Sequence, residues 1–297
     1  MEPTLAERAV VYRDNPRALV VTIQGLVPTL SPADRAIAEI VLQLRHGTAG
    51  DVRLAHVAGA AGVSQAAVVK FAKRLGLSGF RQLREILLAY RSAVGSELHE
   101  ELALSDDPET VVNKVFRTAS QALTDTLAIF DFSMFERAAA ALARANQRLL
   151  VGVGGSAVIA MDFEHKLLRI GIPARAHADT HLMAMTASLL AKDDVALGVS
   201  HSGSTVAVIE CIELAKGQGA TTIAITNTPE SQLAAMADIA LFSASQGSPI
   251  TGENAASRIA QLNILDALFV RVAHHHADRA QANLESTMRS VTRKRLR

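Results

Sequence analysis

The 297-residue sequence has no tryptophan, two tyrosines and one cysteine, and no run in it approaches the roughly 20 uninterrupted apolar residues of a membrane-spanning helix. A lone cysteine excludes an internal disulfide, and Cys211 falls in an apolar helical run where it reads as a small buried hydrophobe. The first thirty residues carry Glu2, Glu7, Arg8, Arg13 and Asp14, which is not the apolar block of a secretory leader. A cytoplasmic protein with no membrane partner is therefore expected. Net charge is also nearly missing, at +1, but only because opposite excesses cancel along the chain.

Residues 1–92 hold 12 Lys and Arg against 7 Asp and Glu, a net of +5, whereas residues 93–288 hold 13 against 22, a net of −9. The last nine residues add five more cations and no acid. A basic front on an acidic body suggests a polyanion-binding module joined to something else. With 49% hydrophobic residues, the length supports two cores.

From Ser31 to Tyr90 the apolar residues recur at helical spacing, with no strand pattern. Ser31-Pro32-Ala33-Asp34 supplies an N-cap, a proline at the first helical position and an early acid, and this helix is expected to stop near His46-Gly47. Gly95, Ser96, Ser105, Asp106, Asp107 and Pro108 mark a break. The expected division is a first domain over 1–92, a linker over 93–108 and a second domain over 109–297. Within the last, Asp106 or Asp107 caps a long amphipathic helix reaching about Phe130, and another helix follows from about Ser133 to Ala145. Continuously apolar strands are then expected at Arg148–Val153, Ala174–Ala178, Val195–Ser200, Thr221–Thr226 and Ile239–Phe242. They alternate with helices at Ala157–Ile170, Thr180–Leu190, Thr205–Gln218, Ser231–Ala237 and Ala255–His274. The fold class is thus α/β: an all-α N-terminal domain and a doubly wound parallel sheet.

Within the helical part, Leu54–Ala61, Gly62-Val63 and Ser64–Leu75 have helix-turn-helix spacing. Val68, Phe71, Ala72 and Leu75 fall on one face of the second helix; Gln65, Ala66, Val69, Lys70, Lys73 and Arg74 lie largely off it. A helix that reads duplex DNA needs this division, with N-terminal residues such as Ser64, Gln65 and Ala66 near base edges and Lys70, Lys73 and Arg74 near phosphates. A helical hairpin with a solvated cationic face has the same spacing.

The run Val63-Ser64-Gln65-Ala66-Ala67-Val68-Val69-Lys70-Phe71-Ala72-Lys73-Arg74-Leu75-Gly76-Leu77-Ser78-Gly79-Phe80 resembles the N-terminal domain of the RpiR family of bacterial regulators, over most of residues 25–90. That family usually has Thr at the position of Ala67 and Arg at that of Lys70. The resemblance implies DNA binding. The symmetry of most helix-turn-helix operators adds a homodimer or homotetramer on inverted repeats.

In the α/β part, Gly152-Val153-Gly154-Gly155-Ser156 joins the first strand to a helix, where glycines let a backbone approach an anion closely. A dinucleotide fingerprint would need glycine at Ala157, so a nicotinamide cofactor is not expected. Ser200-His201-Ser202-Gly203-Ser204-Thr205 ends the third strand, placing hydroxyls at a helix N-terminus where open α/β sheets bind ligands. Capping alone accounts for one or two of these hydroxyls. Ser200-x-Ser202-Gly203-x-Thr205, with Gly152-x-Gly154-x-Ser156, resembles the sugar isomerase (SIS) domain over roughly residues 130–275. That resemblance implies a phosphorylated sugar held by Gly154, Ser156, Ser200, Ser202, Gly203 and Thr205. Glu253 either faces the sugar hydroxyls or simply occupies the first turn of the last helix, which resembles the family's last helix.

His274-His275-His276 is not read as a metal site, because consecutive helical side chains diverge by about 100°. No metal or cofactor is expected. The expected function is a regulator whose operator affinity responds to a sugar phosphate. An aldose–ketose isomerase is the alternative, for which Glu253, Glu164, His165 and His201 are the candidates, but they form no recognisable catalytic motif.

Overall fold

The structure, a computed structural model, describes residues 5–45, 52–94, 102–245 and 255–292, so the expected helix stop near His46-Gly47 and Glu253 lie outside the described residues. The chain forms two compact units, Met1–Ile129 and Phe130–Arg297.

The first unit is all-helical: α1 (Leu5–Asp14), α2 (Pro16–Leu26), α3 (Pro32–Leu44), α4 (Leu54–Ala60), α5 (Gln65–Arg74), α6 (Phe80–Val94) and α7 (Pro108–Ala128). Ser31 caps α3 by accepting from the Asp34 amide at 3.3 Å, as its sequence predicts. Leu19, Ile23, Ile37, Val57, Phe71, Leu83 and Leu87 pack in one core. Each such burial stabilises by about 1.5 to 3 kcal/mol relative to exposure.

The unit boundary differs from the expected one, because α7 packs with the first unit rather than the second. Asp125 is buried and pairs with Arg17 of α2 at 2.9 Å, and Ile129 packs on the first core. Gly, Ser, Asp and Pro over 93–108 mark a break in the chain, but a break does not determine which core the following helix joins. Asp107 does cap that helix, accepting from the Glu109 and Thr110 amides.

The second unit alternates α8 (Phe132–Arg144), β1 (Arg148–Gly152), α9 (Gly155–Arg169), β2 (Arg175–His177), α10 (Thr180–Ala187), β3 (Val195–Val199), α11 (Val206–Gly217), β4 (Thr221–Thr226), α12 (Gln232–Met236), β5 (Ile239–Phe242), α13 (Ala255–His275) and α14 (Ala277–Thr292). All five strands are parallel, in the order β2-β1-β3-β4-β5. Both faces are covered. Leu150, Leu197 and Ile223 meet residues of α8, α9 and α13 on one side, whereas Leu149, Ala196 and Ala224 meet residues of α10 and α11 on the other. That is the doubly wound fold the uninterrupted apolar strands predict. α14, which has no clear sequence signal, is tied to the end of α9 by Asn283 Nδ2 donating to the Ile170 carbonyl at 2.9 Å.

Two glycines fix the turns that matter. A Cβ on Gly152 would lie 2.6 Å from the Ser156 carbonyl, so β1 can enter α9 this tightly only without a side chain. Gly203 has φ +62°, and a Cβ there would fall 2.1 Å from Ser231 Oγ.

Gly152→Ala is therefore expected to lower stability by about 1 to 3 kcal/mol through overpacking, seen as a lower Tm. Gly217→Ala, in open space at the end of α11, should instead leave Tm unchanged or raise it, because alanine gains up to about 1 kcal/mol over glycine in a helix. An unchanged Tm in Gly152→Ala would show that the contact is relieved by relaxation.

Candidate functional site

In the first unit, α4 and α5 turn through 100° about Gly62, which has φ +65°. The Val63 amide donates to the Ala58 carbonyl at 2.9 Å, closing α4, and Ser64 caps α5 by accepting from the Ala67 amide at 3.2 Å. Val68, Phe71, Ala72 and Leu75 are buried, which turns the opposite face outward. Ser64, Gln65, Ala66, Lys70, Lys73 and Arg74 are all exposed there. Arg74 is nevertheless engaged, since its Nη1 lies 3.0 Å from Asp34 Oδ2 on α3. It ties α5 to α3, so Lys70 and Lys73 are the freer cations on this face. Their sequence spacing already put them there; the Arg74 pairing joins residues 40 apart and has no local sign.

In the second unit, the strand order reverses between β1 and β3, so their following helices leave on opposite faces and open a crevice at the C-terminal strand ends. Gly154, Gly155 and Ser156 lie on the β1–α9 side, and Ser200, Ser202, Gly203 and Thr205 on the β3–α11 side. Ser200, 3% exposed, has its Oγ 2.9 Å from Thr205 Oγ1 and accepts from the Gly203 amide at 3.1 Å. Exposed Ser202 accepts from the Ser204 amide at 3.3 Å and from Ser204 Oγ at 2.8 Å.

Side-chain capping separates these two helices from their neighbours. Asp131, Asp179 and Ser231 cap α8, α10 and α12 with side-chain oxygens. α9 begins at Gly154 and α11 at Thr205, and neither N-terminus receives a side-chain cap. Thr205 stands in the capping position yet directs its hydroxyl to Ser200. The reading in which these hydroxyls merely finish the helix therefore fails for Thr205. What remains is a pair of helix N-termini without side-chain caps, close to a cluster of hydroxyls, an arrangement suited to anions.

A polar chain that sequence reading did not assemble runs beneath this loop. His201 Nδ1 lies 2.9 Å from Ser257 Oγ, which is 3.3 Å from Ser243 Oγ, which in turn accepts from Gln261 Nε2 at 3.3 Å. Ser243, Ser257 and Gln261 are buried. The available signal was polar residues inside an apolar helix, Ser257 and Gln261 on α13, with Ser243 just past the end of β5. Cys211 is buried and its thiol is pushed up to about 12 by that burial, so it is not a nucleophile. A cleft of about 420 Å³ between α10 and α11, lined in part by Thr180, Glu210 and Glu213, includes none of Ser200, Ser202, Gly203 or Thr205 in its lining. Among the described residues there is no metal-ligating cluster, and no single helix is long and apolar enough to cross a membrane.

The two units define a class: a helix-turn-helix module joined to a doubly wound domain with a hydroxyl-lined crevice. Residues 18–93 match the helix-turn-helix domain of the rpiR family, and residues 141–271 match the SIS domain. The HTH-type transcriptional regulator RpiR of Escherichia coli (strain K12) is 44% identical over 231 residues, covering 78% of each chain. An uncharacterized HTH-type transcriptional regulator of Caldanaerobacter subterraneus is 33% identical over 278 residues, covering 94% of this chain and 98% of that one. Among solved structures, Vibrio vulnificus NanR in complex with ManNAc-6P aligns over 94% of this chain and all of its own, with 26% identity and a TM-score of 0.60. The sugar isomerase domain of an RpiR transcription factor from Sphaerobacter thermophilus aligns over 60% of this chain and 98% of its own, with 25% identity and a TM-score of 0.56. The chain belongs to the RpiR family and is a helix-turn-helix transcriptional regulator with an SIS domain, not an isomerase.

Loss of the α5 cap in Ser64→Ala is expected to cost about 1 kcal/mol locally and to speed hydrogen exchange of the Ala67 amide roughly five-fold. Unchanged exchange would mean that the cap does not hold the start of this helix.

Proposed function

We propose that the crevice binds a phosphorylated sugar and that its occupancy changes the affinity of α5 for a duplex operator. Ser200, Ser202 and Thr205 hold the phosphate together with amides at the start of α11, Gly203 providing the left-handed turn between them, while Gly154 and Ser156 close the opposite side. Glu253, outside the described residues, remains the sequence candidate for the sugar hydroxyls, the alternative being a place in the first turn of the last helix. The carrying observation is that α9 and α11, facing the crevice, lack the side-chain caps of α8, α10 and α12. The NanR complex with ManNAc-6P, which shares the architecture over most of the chain, supports the same ligand class.

On DNA, Gln65 reads a base edge through its paired donor and acceptor, Ser64 and Ala66 lie close by at the helix start, and Lys70 and Lys73 meet phosphates. Arg74 contributes through its tie to Asp34. The regulator acts in the cytoplasm as a homodimer or homotetramer on inverted repeats, with half-sites about one helical turn or a multiple of it apart.

Ser202→Ala is expected to weaken sugar-phosphate binding by about 1.5 to 3 kcal/mol, roughly ten- to a hundred-fold, while DNA binding without ligand persists. Calorimetry with a sugar phosphate and its unphosphorylated sugar provides the check: equal affinity of the wild type for both overturns the phosphate assignment. Lys70→Ala or Lys73→Ala should each lower the log–log salt slope of DNA binding by about one. Unchanged slopes in both variants would remove α5 from the interface.

A further inference from the structure

α7 turns its more polar side inward. The buried residues of this 21-residue helix are Ala122, Asp125 and Thr126, and Asp125 pairs with Arg17 of α2. Val112, Phe116, Leu123 and Leu127 are exposed instead, Phe116 to 71% and Leu127 to 65%. At 100° per residue these four fall within about 60° of one another around the helix, forming one stripe about 22 Å long. Lys114, Arg117 and Asp125, the charged residues in the same span, all lie about 80° or more away from it. A helix with solvent on its outer face carries the reverse pattern. The four side chains present on the order of 500 Å², at the upper end of the apolar patches that monomers leave exposed.

The spacing of the stripe identifies what covers it. From Val112 through Phe116, Ala119, Ser120 and Leu123 to Leu127 the steps are four, three, one, three and four, the same from either end. The pattern is symmetric about the link between Ala119 and Ser120. Two antiparallel copies related by a two-fold axis at that point set Val112 against Leu127 and Phe116 against Leu123 on both sides, with the small Ala119 and Ser120 where the backbones come closest. An unrelated partner has no need of this symmetry, whereas an isologous helix pair does. Two facing stripes cover about 1,000 Å², the lower limit of a specific interface. We propose that α7 is a dimerisation surface, occupied by α7 of a second copy in antiparallel register about Ala119 and Ser120. α7 belongs to the same compact unit as α5, so the axis that pairs α7 also relates the two α5 helices, as an inverted repeat demands. This inference rests on the homodimer reading above and adds to it the surface, the orientation and the residues.

Disulfide trapping on the full-length protein tests it, because the native Cys211 is buried and leaves little background. Ser120→Cys, next to the axis, is expected to cross-link to its own copy on mild oxidation. Val112→Cys and Leu127→Cys, each about 22 Å along the helix from its own copy, should fail to self-link but should link to one another after subunit exchange between the two proteins. Phe116→Glu should raise the dimer dissociation constant about ten-fold or more by sedimentation, with helical content unchanged. Self-linking of Val112→Cys in place of the mixed pair means a parallel contact and overturns the inference. A dimer that gives neither cross-link and keeps its dissociation constant in Phe116→Glu also overturns it, leaving the homodimer reading intact and the stripe to another occupant. A wild type that stays monomeric at every concentration measured overturns both readings together.

Discussion

The second unit is organised around one electrostatic constraint: two helices begin side by side at the reversal of strand order, and neither satisfies its first amides with a side chain. The order β2-β1-β3-β4-β5 sends the connections after β1 and β3 to opposite faces. Their N-termini therefore open at the same end of the sheet. Gly152 lets β1 approach α9 without a side chain, and Gly203, packed on Ser231, gives the β3–α11 loop its left-handed turn. Either glycine replaced by a larger residue would displace the amides from the crevice. The buried chain from His201 through Ser257 and Ser243 to Gln261 then holds that loop against α13. These bonds join the loop to the first turns of α13, although Gln261 Oε1 itself is buried without a partner among the described residues.

In the first unit the governing interaction is apolar. Val68, Phe71, Ala72 and Leu75 bury one face of α5, and this alone obliges the other face to be solvent-facing. The cap at Ser64 and the turn at Gly62 set where the helix starts, and the Arg74–Asp34 pair ties its far end to α3. An exposed pair of this kind stabilises by at most about 1 kcal/mol, so its consequence is positional. It takes one cation out of the set that faces outward and leaves Lys70 and Lys73.

Different parts of this organisation were legible in the sequence to different degrees. All five strands form with nearly the expected ends; β1, β3 and β4 stand out because a strand buried on both faces is largely apolar, whereas β2, Arg175–His177 at the sheet edge, is partly exposed. Helix starts marked by Ser31, Ser64 and Asp107 were legible because capping is a local interaction. The unit to which α7 belongs was not. Its tie to the first unit rests on Asp125 meeting Arg17, more than a hundred residues earlier in the chain, and on Ile129 packing against the first core. α14 escaped for a related reason: its anchor is an asparagine on a carbonyl of α9, which no periodicity signals.

By itself the sequence determined the helix-turn-helix spacing, the alternating α/β architecture and the clustering of Ser200, Ser202, Gly203 and Thr205 at a strand end. These are properties of neighbours along the chain, set by backbone geometry and the periodicity of burial. Only the tertiary structure decided that Thr205 turns to Ser200 instead of capping α11, that Arg74 is held by Asp34, and that Ser257 and Arg258 reach two different loops of the crevice. Each of these depends on which elements the packed sheet and helices bring within a few ångströms. A one-dimensional pattern specifies which residues are to be buried, but the partners of a polar side chain are chosen by the three-dimensional path of the whole chain.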